Sequence, residues 1–377
     1  MQVNSIDLFR VAMPMKSVWR TAFSEMFDID CVLVRLDLDG AVGWAETAPY
    51  AAPNYCGEWA DGAFDVLRDW LAPALVGRTV PDSGVLQSLL KSFKGNHFAK
   101  SALDIAWWDA FAKLDGKPLW QVIGGTSPNV TVGADIPVQD DSDSLIGEIA
   151  AALDAGFVRV KLKFRPGMGA DTIRAVRRRF PDVVMHIDCN SGFTLDDLAL
   201  FRELDQCGLA MIEQPLGHDD LIDHARLQRE LQTPICLDES IVSLDKVRKA
   251  IEIGAGRWVN LKVGRVGGLS NAIAIHDLCQ HHQIPCWVGG MLESAVGQGP
   301  SLALATLPNI AYPNDIFPSA RFYLQDLSKP EIALSGPSVV TAPDRPGHGF
   351  APDPQRLEQV TIRHARVTVE TAGMQPA

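Results

Sequence analysis

The run VRVKLKF, Val158 to Phe164, decides the fold of this 377-residue chain. Basic and apolar residues alternate along it as on a strand. From Lys163, a carboxylate follows 25 residues on at Asp188, another 25 later at Glu213 and a third 25 later at Asp238, and a lysine stands 24 beyond that at Lys262. Each closes a short apolar run: VVMHID, LAMIE, PICLD and WVNLK. A strand of about six residues, a helix of about twelve and two short loops fill such a period. The pattern is a βα repeat with chemistry recurring at one phase, so the functional groups form a ring.

Working outward, the alternation begins at Thr131. TVGADIPV, FVRVKLKF, VVMHIDCN, LAMIEQP, PICLDES, RWVNLKV, IPCWVGG and NIAYP read as eight strands. Between them DTIRAVRRRF, LDDLALFRELD and LSNAIAIHDLCQHH carry helical periodicity. Eight such units predict an α/β fold, a (β/α)8 barrel over residues 126–325. Residues 1–125 read differently. SIDLFRVAM and CVLVRLDLDGAVGWAE are strand-like, with a hairpin turn at Asp39–Gly40, and two helical stretches follow, the second stopping at Gly116. This is an α+β capping domain. KSVWRTAFSEMF, between the first strands, shows no clean period and reads as a loop, as does TAPYAAPNYCGE. The segment 326–377, richer in Pro and Gly, is expected to return to the capping domain.

Active residues of such barrels come from the C-terminal ends of strands. Lys161 and Lys163 share one strand face and, with Leu162 and Phe164 opposite, point to the barrel axis. A solvated face is not open to them, because a barrel strand is covered on both sides. Asp188, Glu213 and Asp238 end the third, fourth and fifth strands. Singly, each suits a helix N-cap. Three together in a dry space repel one another unless a cation holds them, and oxygen-only donors favour Mg2+ over zinc. Asn190 faces the same side as Asp188. Lys163 and Lys262 end strands four apart in a ring of eight, on opposite sides of a ligand. A lysine base needs burial and nearby positive charge to lower its pKa, which Lys161, the ion and Arg265 would supply. Two opposed bases with a divalent ion suit proton abstraction α to a carboxylate, the ion stabilising an enediolate.

Composition narrows the partners. A net charge of −12 argues against nucleic acid or an anionic membrane surface. No apolar run of about 18 residues predicts a membrane span. The start lacks a signal-peptide pattern, and seven cysteines in largely apolar settings read as reduced thiols, so the expected location is cytoplasmic.

KLK at 161–163, IDCN at 187–190, IEQP at 212–215, LDES at 237–240 and NLKVGRVGG at 260–268 resemble the muconate-lactonizing-enzyme subgroup of the enolase superfamily, over essentially the whole chain. FKGNHFAKSALDIAWWDA, TPICLDESIVS, GGMLES and Arg321–Tyr323 are similar to the o-succinylbenzoate synthases that also racemise N-acylamino acids. The resemblance implies Asp188, Glu213 and Asp238 as Mg2+ ligands and Lys163 and Lys262 as the acid/base pair. It also implies substrate-capping loops near Trp19 and from Pro49 to Tyr55, with Met291 of GGMLES beside the substrate. A small carboxylate substrate and a homo-oligomer are expected with it. Two positions depart from the pattern. Asp135 stands where a small polar residue is usual, and Gln298 where an arginine is usual, both making the rim less positive. An ammonium-bearing substrate suits Asp135 better than a succinyl carboxylate does.

Gly289 and Gly290 offer backbone N–H groups to a substrate carboxylate, and Glu293 reads as a helix cap or a partner for Lys262. GRVGG at 264–268 fits no phosphate-loop spacing. The expected activity is Mg2+-dependent dehydration by syn elimination of water. The alternative is racemisation by the same two lysines, and the sequence does not separate them. A Schiff-base aldolase would leave the carboxylate triad without a role. A non-catalytic scaffold would have no use for the full acid/base set.

Overall fold

The computed structural model describes residues 1–21 and 25–372. A four-stranded antiparallel sheet carries the cap. Its order is Thr361–Thr368, Val3–Arg20, Glu25–Leu38, Ala41–Thr47, so a strand from the end of the chain pairs with the first one. The Asp39–Gly40 turn closes the second hairpin, with Gly40 at φ +89°, a left-handed conformation that glycine adopts without strain. Helix His97–Leu114 lies across this sheet. Its approach is close: a Cβ on Gly43 would fall 1.8 Å from the Ala106 carbonyl oxygen. Asp109 on the helix also accepts a hydrogen bond from the Trp44 N–H at 2.8 Å.

The expected loop KSVWRTAFSEMF is instead the far end of a long hairpin, pairing Trp19 with Met26 and Arg20 with Glu25. Residues 22–24 of that stretch lie outside the described residues. The register shifts between Pro14 and Trp19, which breaks the two-residue alternation by which a strand is recognised.

Seven parallel strands follow in chain order around a curled sheet: Ala134–Ile136, Arg159–Lys163, Val184–Asp188, Ile212–Glu213, Ile235–Leu237, Trp258–Leu261 and Cys286–Val288. The expected eighth strand, NIAYP, forms no regular ladder, since Pro313 has no N–H to give. Its extended backbone nevertheless closes the ring. Ala311 N–H donates to the Cys286 carbonyl and Asp315 N–H to that of Val288, while Gly133 N–H donates to Asn314, each at 2.9 Å. The fold is a (β/α)8 barrel with an antiparallel N-terminal cap. TVGADIPV does not run as one strand. Asn129–Thr131 pairs antiparallel with Val339–Thr341 of the tail, and only Ala134–Ile136 joins the barrel. Between them the chain passes tight against buried Arg159, whose guanidinium lies 2.2 Å from where a Gly133 Cβ would stand.

Candidate active site

Parallel pairing puts the functional groups level with one another at the strand ends. Asp135 is the register partner of Lys161, Lys163 of Asp188, and Asp188 of Glu213. All of them are buried, as are Asp238 and Lys262. Lys161 Nζ sits 3.0 Å from Asp188, 3.1 Å from Glu213 and 3.2 Å from Asp315. Lys163 donates to Asp188 Oδ2 at 2.7 Å. Lys262 lies 2.9 Å from Asp238 Oδ2 and 4.9 Å from the Tyr55 ring centroid. Arg265 pairs with Asp238 Oδ1 and donates to the Tyr55 hydroxyl oxygen at 3.2 Å and to the backbone carbonyls of Ile241 and Asn260.

A second layer holds this ring. Asn260 Nδ2 donates to Glu213 Oε1 at 2.6 Å, and His186 Nε2 is 3.3 Å from Glu213 Oε2. Gln214 accepts from the N–H groups of Asp238 and Ser240 at 2.9 and 3.2 Å. Asp315 joins Arg159 to Lys161. Sequence reasoning assigned no part to Asp315, although it closes the NIAYPND run as the other acids close theirs. It missed Asn260, His186 and Gln214 too, because they differ in kind from the groups recurring at the common phase.

The electrostatics follow from burial and proximity. Burial favours a neutral Asp188, but Lys161 and Lys163 outweigh it and hold that carboxyl far below its usual range. Burial likewise pulls Lys163 down, with Lys161 pushing the same way, yet Asp135 and Asp188 prevail and raise it. Lys262 is also raised against burial, by Tyr55, Tyr50 and Glu239. The positive surroundings expected to lower these lysines are thus outweighed, at Lys163 by the carboxylates it faces and at Lys262 chiefly by the two tyrosines. A cation taking up the carboxylate charge would remove that influence from Lys163, which is the direction a lysine base requires.

The donor set fits such a cation, although among the described residues no three His, Cys, Asp or Glu side chains already stand at ligand spacing. Lys161 lies between Asp188 and Glu213, where it neutralises both. The dry oxygens left over are the sign of fit. Asp238 Oδ2, Asn190 Oδ1 and Glu239 Oε2 make no hydrogen bond, Asp238 Oδ2 meeting Lys262 as an ion pair only. Hard oxygen donors of this kind suit Mg2+.

Above the ring is a cavity lined by Lys163, Lys262, Asn190, Asp135, Trp19 and Tyr55, with Gly290 and Met291 among its other walls. Trp19 packs edge-on against Phe322 at 5.2 Å. Gly289, expected to offer its N–H to the substrate, and Glu293, expected as a helix cap or a partner for Lys262, are turned elsewhere. The Gly289 N–H donates to the Leu261 carbonyl at 2.9 Å, so it is already used within the barrel. Glu293 folds back to accept the Met291 N–H at 3.3 Å, and burial pushes its carboxyl up to about 8. Ser294, not Glu293, caps the following helix, Ala295–Leu304. Gln298 lies off the rim as well. It donates to the Glu293 carbonyl at 3.1 Å and accepts from the Phe317 N–H at 2.6 Å, tying the loops after the last two barrel segments.

Residues 5–124 match the mandelate racemase / muconate lactonizing enzyme N-terminal domain, and residues 145–356 the enolase C-terminal domain-like family. The chain is 40% identical to an o-succinylbenzoate synthase of Geobacillus kaustophilus, over 95% of its length and 96% of the relative's. It is also 40% identical to an N-succinylamino acid racemase of an Amycolatopsis species, with 96% and 98% covered. A solved member of the enolase superfamily from Listeria innocua superposes with a TM-score of 0.94 at 34% identity, covering 98% of this chain and all of that one.

Proposed function

Because the chain belongs to the mandelate racemase / muconate lactonizing enzyme family of the enolase superfamily, we propose that it removes the proton α to a substrate carboxylate and expels a β-hydroxide, a dehydration of the o-succinylbenzoate synthase type. Enzymes of this superfamily use a divalent metal. Here Asp188, Glu213 and Asp238 would hold it, as Mg2+, and when bound it supplies positive charge against the second negative charge the carboxylate gains on enolisation. The observation that carries the reading is the pair of lysines, Lys163 and Lys262, facing one cavity above three buried carboxylates. Lys163 Nζ takes the α-proton, and the electron pair moves into the carboxylate. As it returns, the β-carbon–oxygen bond breaks, and Lys163 gives its proton to the departing hydroxide, forming water on the face from which the proton came. Lys262 stands across the site as the second cation, with Tyr55 under its ammonium.

The same pair supports racemisation as a second reading, favoured by the acidic Asp135 in the cavity wall, a poor neighbour for a succinyl carboxylate. One lysine then takes the α-proton from one face and the other returns a proton to the opposite face. With the proposal go a small carboxylate substrate, a homo-oligomer, and a barrel over 126–325 capped by 1–125 and 326–377. A cytoplasmic location agrees with seven free cysteines, and no described helix is long and apolar enough to cross a membrane. The deciding experiment is proton NMR in deuterated water with Mg2+, on the cyclohexadiene precursor of o-succinylbenzoate and a panel of amino-acid derivatives. Dehydration of the precursor, abolished by a chelator, is expected. Deuterium entering an amino-acid α-position without dehydration would replace the lyase reading with the racemase. Turnover that survives chelation would refute both.

A further inference from the structure

We infer that Asp135 is a specificity residue that takes a positively charged nitrogen, an ammonium group, at the end of the substrate remote from its carboxylate. The inference rests on the second reading above, racemisation through the same enolisation, and adds the substrate's charge to it. Three charged side chains line the cavity among the described residues: Lys163, Lys262 and Asp135. The two lysines are assigned to proton transfer, which leaves Asp135 as the one acid facing the ligand. It is 5% exposed. Its Oδ1 makes no hydrogen bond, and its Oδ2 lies 3.8 Å from Lys163, which bonds Asp188 instead at 2.7 Å.

Its position fixes which part of the ligand it meets. The first barrel strand lies opposite the fifth in a ring of eight, so Asp135 faces the site from the side away from Asp238. A carboxylate bound on the Asp238 side of the site leaves the other end of the molecule at Asp135. A buried carboxylate oxygen with no donor is costly, and a neutral N–H compensates it less than an ammonium does. Trp19, which also lines the cavity, offers an aromatic surface to a bound cation. An acyl arm ending in a carboxylate meets repulsion there instead.

The test compares α-proton exchange in deuterated water, with Mg2+, for glycyl-L-phenylalanine, N-acetyl-L-phenylalanine and N-succinyl-L-phenylalanine. These differ at the arm's end: ammonium, neutral and carboxylate. The wild-type enzyme is expected to rank them in that order by kcat/KM. Asp135→Asn and Asp135→Ser should each lower the glycyl-to-acetyl ratio roughly 10- to 100-fold, the loss of one hydrogen bond to a charged group. A wild-type preference for the succinyl compound, or variants that shift all three alike, would overturn the inference. Exchange in any order still sustains enolisation. Dehydration of the cyclohexadiene precursor without exchange of any of the three would sustain the lyase and overturn Asp135's role. Neither exchange nor dehydration would sink both.

Discussion

Replacing Glu46 by glutamine should flatten the pH dependence of the protein's stability. Glu46 lies on Ala41–Thr47 of the cap and is buried at 2% exposure. It reaches across to the start of helix Ala295–Leu304, accepting the Ser294 N–H at 3.1 Å and the Ser294 hydroxyl. Burial pushes its carboxyl up to about 7, although both Ser294 bonds favour the ionised form, and Asp326 nearby pushes the same way as burial. An acid raised on folding binds more protons folded than unfolded. Its contribution is fully present below about 4.5 and is lost as pH rises towards 7, by an amount on the order of 3 kcal/mol. Glutamine keeps an oxygen for the Ser294 N–H and carries no charge. From pH 5 to 8 the wild type's denaturant midpoint should fall relative to the variant's. Parallel curves for the two proteins would refute the assignment.

Lys163→Ala and Lys262→Ala should each abolish turnover on whichever substrate the NMR assay identifies, and a variant retaining near-native rates would break the two-lysine mechanism. Gly289→Ala would put a Cβ 2.3 Å from Asn260 Oδ1 and push that amide off Glu213. Mg2+ affinity, read by titration calorimetry, should fall about 10- to 100-fold. Unchanged affinity would show that Asn260 does not orient Glu213.

The ring of acids and lysines was legible in the sequence because a βα unit has a nearly fixed length, so groups at strand ends recur at one interval. That regularity failed where the backbone departs from it. The eighth segment, NIAYP, was read as a strand stopping at Pro313, and Asp315, two residues beyond, was left out of the ring. The hairpin carrying Trp19 was hidden because its register slips between Pro14 and Trp19. Gln298 was read from chain position as a rim group, and Glu293 as a helix cap or a partner for Lys262. Which way a side chain turns after a strand depends on competing partners, here the Phe317 and Met291 N–H groups, which lie outside any local pattern.

The pairing of Thr361–Thr368 with Val3–Arg20 bears on the order of assembly. The first strand has no edge partner on that side until residues near the end of the chain have left the ribosome. Contacts so distant in sequence carry a large loop-closure cost and form late. The hairpin that bears Trp19 belongs to that first strand, so the cover over the cavity gains its full support last. During synthesis the barrel's reactive floor exists before its lid is secured, and a chain shortened by a few tens of residues would keep the former while loosening the latter.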